Sequence, residues 1–137
     1  MTQEEKHTLL VDLSARLPYG TKCTTKLTGY NDVYIVQGMY EDNVFIDCPV
    51  YEEGDDEWMI ESIIPFLRPM SSMTDEEKEH LQSLHNIISD ENYEDGYSPA
   101  AWDAISEFND YCHAHHLDNR GLIGKGLALE ASEQMYN

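Results

Sequence analysis

Apolar residues recur at Leu9, Leu10, Leu13 and Leu17, the spacing that puts side chains on one face of an α-helix. Thr2-Gln3-Glu4-Glu5 supplies a capping box at its start, and Pro18-Tyr19-Gly20 stops it, so the pattern predicts a helix over residues 3–16. From Lys22 to Ile64 the periodicity changes to short runs rich in Thr, Val, Ile and Tyr. Between them stand the turn-forming groups Gly29-Tyr30-Asn31-Asp32, Glu41-Asp42-Asn43 and Glu53-Gly54-Asp55-Asp56. Four strands are predicted, over residues 23–28, 33–40, 44–48 and 57–63, and connections this short favour antiparallel neighbours. Pro65 and Pro69 each lack a backbone donor and are expected to end the ladder.

Thr74-Asp75-Glu76-Glu77 repeats the capping-box form, and Leu81, Leu84 and Ile88 mark one face of a second helix over residues 75–88. The acidic stretch 89–97 reads as a loop. Ser98-Pro99 offers an N-cap followed by proline at the first helical position, and Trp102, Ile105, Phe108 and Cys112 predict the buried face of a third helix reaching His115. Leu127-Ala128-Leu129 is either a short strand or a packed extension. The fold class expected is α+β: an N-terminal helix, a four-strand antiparallel sheet or small SH3-like barrel, two C-terminal helices and a packed tail. The 137 residues suit a single domain.

Composition narrows the function. Hydrophobic residues make up 41% of the chain, enough for a core, yet 27 Asp and Glu against 8 Lys and Arg leave a formal net charge of −19. A phosphate backbone is bound by clustered cations, so direct nucleic-acid binding is excluded as an expectation. The charge points to a basic protein partner, to imitation of nucleic acid, or only to a well-solvated surface. No apolar run approaches a membrane span, the first residues lack the order of a secretory signal, and Cys23, Cys48 and Cys112 are odd in number and widely spaced. A cytoplasmic protein with reduced thiols is expected.

Several segments are familiar as a set: Leu17-Pro18-Tyr19-Gly20; Phe66-Leu67-Arg68-Pro69-Met70-Ser71-Ser72-Met73-Thr74; His115-His116-Leu117-Asp118-Asn119-Arg120-Gly121-Leu122-Ile123; and Gly126-Leu127-Ala128-Leu129-Glu130-Ala131 with Met135-Tyr136. Together they resemble a family of small uncharacterised proteins of gut bacteria and their prophages and mobile elements. The chain departs from that pattern at Ala131-Ser132-Glu133-Gln134, where Ala-Pro-Glu-Gly is expected. The resemblance implies a genomic setting and no reaction.

The densest chemical cluster is Cys112-His113-Ala114-His115-His116, followed by Asp118. Cys112, His115 and His116 fall at helical spacing and are of the types that bind zinc, although no second ligand pair stands elsewhere in the chain. The competing reading packs Cys112 in the core and places the histidines at a helix C-terminus, where the dipole favours partial positive charge. A Cys112–histidine catalytic dyad is a further alternative. Arg120 can bind an external carboxylate or phosphate bidentately, or pair with the protein's own acids. Gly121, Gly124 and Gly126 lack the dinucleotide spacing, and no cofactor is expected. Tyr30, Tyr34, Tyr40 and Tyr51 either line a peptide groove or pack against the strands. The function expected is that of a non-enzymatic, acidic interaction protein. The alternatives are a nucleic-acid-mimicking inhibitor of a DNA-binding protein and a metal-dependent enzyme built on residues 112–116.

Overall fold

The computed structural model describes residues 1–28, 32–47, 57–90, 92–93 and 96–136. Helix α1, Gln3–Arg16, begins with the predicted capping box: the Glu5 amide donates to Thr2 Oγ1 and the Thr2 amide to Glu5 Oε1, each at 3.0 Å. Leu9 and Leu13 are fully buried, and a 3₁₀ turn over Leu17–Tyr19 ends at Gly20, whose φ of 66° suits a residue without a Cβ.

The sheet is larger and less uniform than expected. Strands β1 (Lys22–Thr25), β2 (Tyr34–Tyr40), β3 (Asn43–Ile46), β4 (Glu57–Met59), β5 (Ile63–Leu67) and β8 (Leu129–Glu130) lie in the order β4-β3-β2-β1-β5-β8. All neighbours are antiparallel except β5 and β8, which run parallel, so the predicted four-strand antiparallel sheet is replaced by a mixed six-strand one. β4 and β8 stand at opposite edges, and no pairing between them closes a barrel among the described residues. The single strand predicted over 57–63 is broken by a 3₁₀ turn at Ile60–Ser62, which lets the chain leave β3 and cross to the far side of β1.

Pro65 does not end the ladder; it sits within β5, opposite Cys23. The reason is alternation. The Ala131 amide donates to the Leu67 carbonyl at 2.8 Å, so the amide groups of Leu67, Pro65 and Ile63 all face the β8 side. The short β8 pairs only with Phe66 and Leu67, so the missing Pro65 donor faces no strand.

Helix α2, Asp75–Asp90, and helix α3, Pro99–Ala114, pack on one another, and β6 (Asn92–Tyr93) with β7 (Gly96–Tyr97) forms a small hairpin in the predicted loop. The buried face of α3 is rotated from the predicted one. Ala101, Ala104 and Cys112 are buried, Ile105 and Phe108 partly so, and Trp102 is 57% exposed. The small Ala104 permits close approach to α2, and Leu81 and Leu84 fill that seam. A larger cluster joins α1 to the inner sheet face and to Leu122, Leu127 and Ala128 of the tail. No helix among the described residues is long and apolar enough to cross a membrane.

Candidate functional site

The histidine-rich end of α3 stops in an unusual way. The Leu117 amide reaches the Cys112 carbonyl at 2.8 Å and the His116 amide the His113 carbonyl at 3.1 Å, the double closure of a Schellman motif. Its left-handed position is normally glycine, but here it is His116, at φ 62°. The helix therefore stops before the three glycines of the tail. The turn sends His115 and His116 to different partners.

His115 faces Glu77. Its Nδ1 lies 2.8 Å from Glu77 Oε2, while the Arg68 guanidinium grips the same carboxylate with two hydrogen bonds of 2.8 and 2.7 Å. Glu77 is also the return arm of the α2 capping box, accepting from the Thr74 amide at 2.8 Å. Its side chain is only 6% exposed, and the Arg68 fork, opposing the cost of burial and helped by Thr74 and His115, pulls its pKa down to about 2. With Glu77 ionised, His115 Nδ1 must carry a proton, which fixes the ring orientation. Arg68 is left with no free fork, because its two terminal nitrogens also donate to the His115 and Ser72 carbonyls at 3.1 Å.

His116 turns the other way and stacks on Tyr136, with ring centroids 3.6 Å apart and planes 10° apart. Burial, together with nearby Arg16 and Arg68, pushes its pKa down to about 4, and its Nδ1 is buried without a partner among the described residues. The Tyr136 hydroxyl accepts from the Lys22 amide at 2.8 Å and donates to the Phe66 carbonyl at 2.6 Å. Cys23 pairs with Pro65, so Lys22 and Phe66 are the next partners in register. The phenol thus bridges the β1–β5 ladder where it splays, and burial pushes its own pKa up to about 12. Lys22 Nζ meets the Met135 carbonyl and lies 5.5 Å from the Tyr136 ring centre, which pins the tail.

These groups surround a cleft of about 680 Å³ between the end of β5, residues 69–74, the end of α3 and the tail after β8. Among the described residues, Arg68 is the only Lys or Arg in its lining, and Glu76, Glu130 and Glu133 have no ion pair there. Three of the four segments that carry the family resemblance meet here.

Arg120 belongs elsewhere. Asp12 and Arg16 of α1 are fully buried and joined by a 2.8 Å ion pair, and Arg120 Nη1 reaches the second Asp12 oxygen, also at 2.8 Å. Arg16 Nη2 ties α1 to the Leu117 carbonyl and Asn119 Oδ1 at 2.8 and 3.0 Å. His113 Nε2 lies 3.0 Å from Arg120 Nη1, and burial and the two arginines hold its pKa below the usual imidazole range. Asp118 caps the Leu122 and Ile123 amides. Of the two readings of Arg120, the intramolecular one describes its position. All three arginines of the chain are therefore paired internally.

The proposed metal ligands are not brought together. Cys112 is fully buried against Leu81 and Leu117 with its thiol pKa raised to about 11 by burial, His115 is turned to Glu77 and His116 to Tyr136. Among the described residues, no group of three His, Cys, Asp or Glu side chains is placed to hold a metal ion. Cys23 is buried, Cys112 is a free thiol, and Cys48 lies outside the described residues. The tyrosines form no shared groove on β2. Tyr34 is buried, whereas Tyr40 is 63% exposed, because a bulge between Val36 and Gly38 reverses the faces along the strand. Tyr30 and Tyr51 lie outside the described residues.

Sequence reasoning passed over Arg68, Glu77, Tyr111 and Tyr136. Glu77 stands in a capping box, and Arg68 and Tyr136 in the quoted segments, but neither pattern names a partner for them. No protein-family model, curated protein or solved structure matches this chain.

Proposed function

We propose that this protein is a non-enzymatic binding protein whose cleft receives a cationic side chain from a basic protein partner. One observation carries this reading: among the described residues, the only Lys or Arg in the lining, Arg68, is neutralised by Glu77, while Glu76, Glu130 and Glu133 have no ion pair. An anionic ligand meets no free guanidinium there and three like charges. A lysine or arginine meets those carboxylates in a wall stiffened by the stacks of Tyr111 on His115, at 4.0 Å, and of Tyr136 on His116. At an effective dielectric near 20, one such charge pair at ~4 Å is worth about 4 kcal/mol before desolvation. A phage or mobile-element origin and a cytoplasmic setting belong to the same proposal and rest on the sequence alone.

Titration calorimetry with a blocked lysine-rich peptide tests the reading. The expected result is binding that weakens steeply between low and physiological salt and is lost when Glu76, Glu130 and Glu133 are all changed to Gln. Equal binding by that triple variant refutes it. The mimicry alternative is less favoured, because exposed acids are distributed over many elements: α1, the β2–β3 turn, α2, α3 and the tail. For the enzyme alternative, His115 has the carboxylate that orients a general base, but Cys112 is sealed in the core as a thiol.

A further inference from the structure

The floor of the cleft adjoins an unfinished edge of the sheet. Strand β8 is the outermost strand, and its pairing with β5 runs Phe66 to Leu129 and Leu67 to Glu130. Because the Ala131 amide bonds the Leu67 carbonyl, the amides that face β5 are those of Leu129 and Ala131. The Glu130 N–H and C=O therefore point away from β5. Neither has a hydrogen-bond partner among the described residues, and Glu130 itself lines the cleft. A free donor and acceptor on one residue, at an exposed edge, form the template on which an extended chain adds as a new strand.

We propose that the partner enters as an extended basic segment that adds to the free edge of β8, pairing its backbone with Glu130 and delivering a lysine or arginine into the cleft. This rests on the reading of the cleft as a cation site and specifies how the cation arrives. Side chains alternate along a strand, and a residue opposite Glu130 shares its face of the sheet. Every second residue of the segment is thus brought toward Glu130 and the neighbouring Glu133. The opposite edge, at β4, offers no comparable cleft among the described residues, which sets β8 apart.

The test uses the full-length chain and an alternating Lys-Val peptide with blocked ends. Its counterpart is the same peptide N-methylated at every valine, which keeps the charge and removes donors on one edge. The expected result is about tenfold weaker binding of a methylated peptide, the worth of one or two hydrogen bonds, when methylation falls on the docking edge; a second peptide methylated at every lysine covers the other edge. Glu130→Gln, which keeps the amide, is expected to lose part of the affinity. Glu130→Pro, which removes an amide that β5 does not use, is expected to lose about tenfold more. Undiminished binding of both methylated peptides, with Glu130→Pro no weaker than Glu130→Gln, overturns strand addition and leaves the cation site standing. Binding of none of the peptides, or binding indifferent to the Glu76, Glu130 and Glu133 triple change, removes both.

Discussion

Changing Glu77 to Gln is the most informative single perturbation of this fold. The amide keeps the shape of the side chain and deletes the charge that Arg68, His115 and the Thr74 amide all address. The pKa of Glu77 lies at about 2 against the ordinary glutamate value of 4.5, and each unit is worth about 1.4 kcal/mol, so the ionised group contributes about 3 kcal/mol. Loss of one partner from a buried, hydrogen-bonded pair costs about 3–5 kcal/mol by a separate route, and the two figures agree. Urea unfolding at neutral pH is therefore expected to show about 3 kcal/mol of destabilisation with an unchanged slope. Because the folded pKa is depressed, the contribution is fully present above pH 4.5 and is lost as pH falls from 4.5 toward 2. The Gln variant is expected to lack that acid-linked component. A double-mutant cycle with Arg68→Gln is expected to recover most of the loss as coupling energy. A cost below about 1 kcal/mol, or a wild-type acid profile retained by the variant, would contradict the role given to the carboxylate.

Three further outcomes follow from the same geometry. Asp12→Asn leaves Arg16 and Arg120 facing each other without their carboxylate, and thermal unfolding is expected to report a loss of about 3–5 kcal/mol. Tyr136→Phe keeps the stack on His116 but strands the Lys22 amide and Phe66 carbonyl, a cost of about 1–3 kcal/mol by denaturant titration, with earlier hydrogen exchange at Lys22. His116 is held neutral with a pKa of about 4 against the ordinary imidazole value of 6.5, so stability is expected to decline as pH falls from 6.5 toward 4, and an NMR titration of its ring is expected to give a midpoint well below 6.

Local signals in the sequence were reliable where a few neighbouring residues decide the outcome. Thr2 and Glu5 cap α1 as their spacing requires, Ser98 accepts from the Ala101 amide to start α3, and Glu41 and Asp42 turn β2 into β3. The errors came where tertiary context decides. Pro65 reads as a strand breaker unless its nitrogen is known to face an empty side of the sheet, and Trp102 reads as core unless Ala101 and Ala104 are seen to take the buried face of α3. His116 occupies a left-handed position that composition assigns to glycine.

The candidate site was less legible for a physical reason. Its contacts join residues far apart in the chain: Arg68 with Glu77 and His115, Phe66 with Tyr136, Arg16 with Leu117. The sequence did show that cations are scarce, and the structure adds that all three arginines are paired internally. That pairing turns a diffuse acidic balance into a cleft with a definite sign.

The most direct measurement is a map of backbone amide shifts on adding the alternating Lys-Val peptide to isotope-labelled protein. Changes centred on Glu76, His115, Glu130 and Glu133, fading as salt is raised, are the result predicted here. Changes scattered over the acidic faces of α1 and α3 with the cleft untouched would show that the charge, and not the site, attracts the peptide.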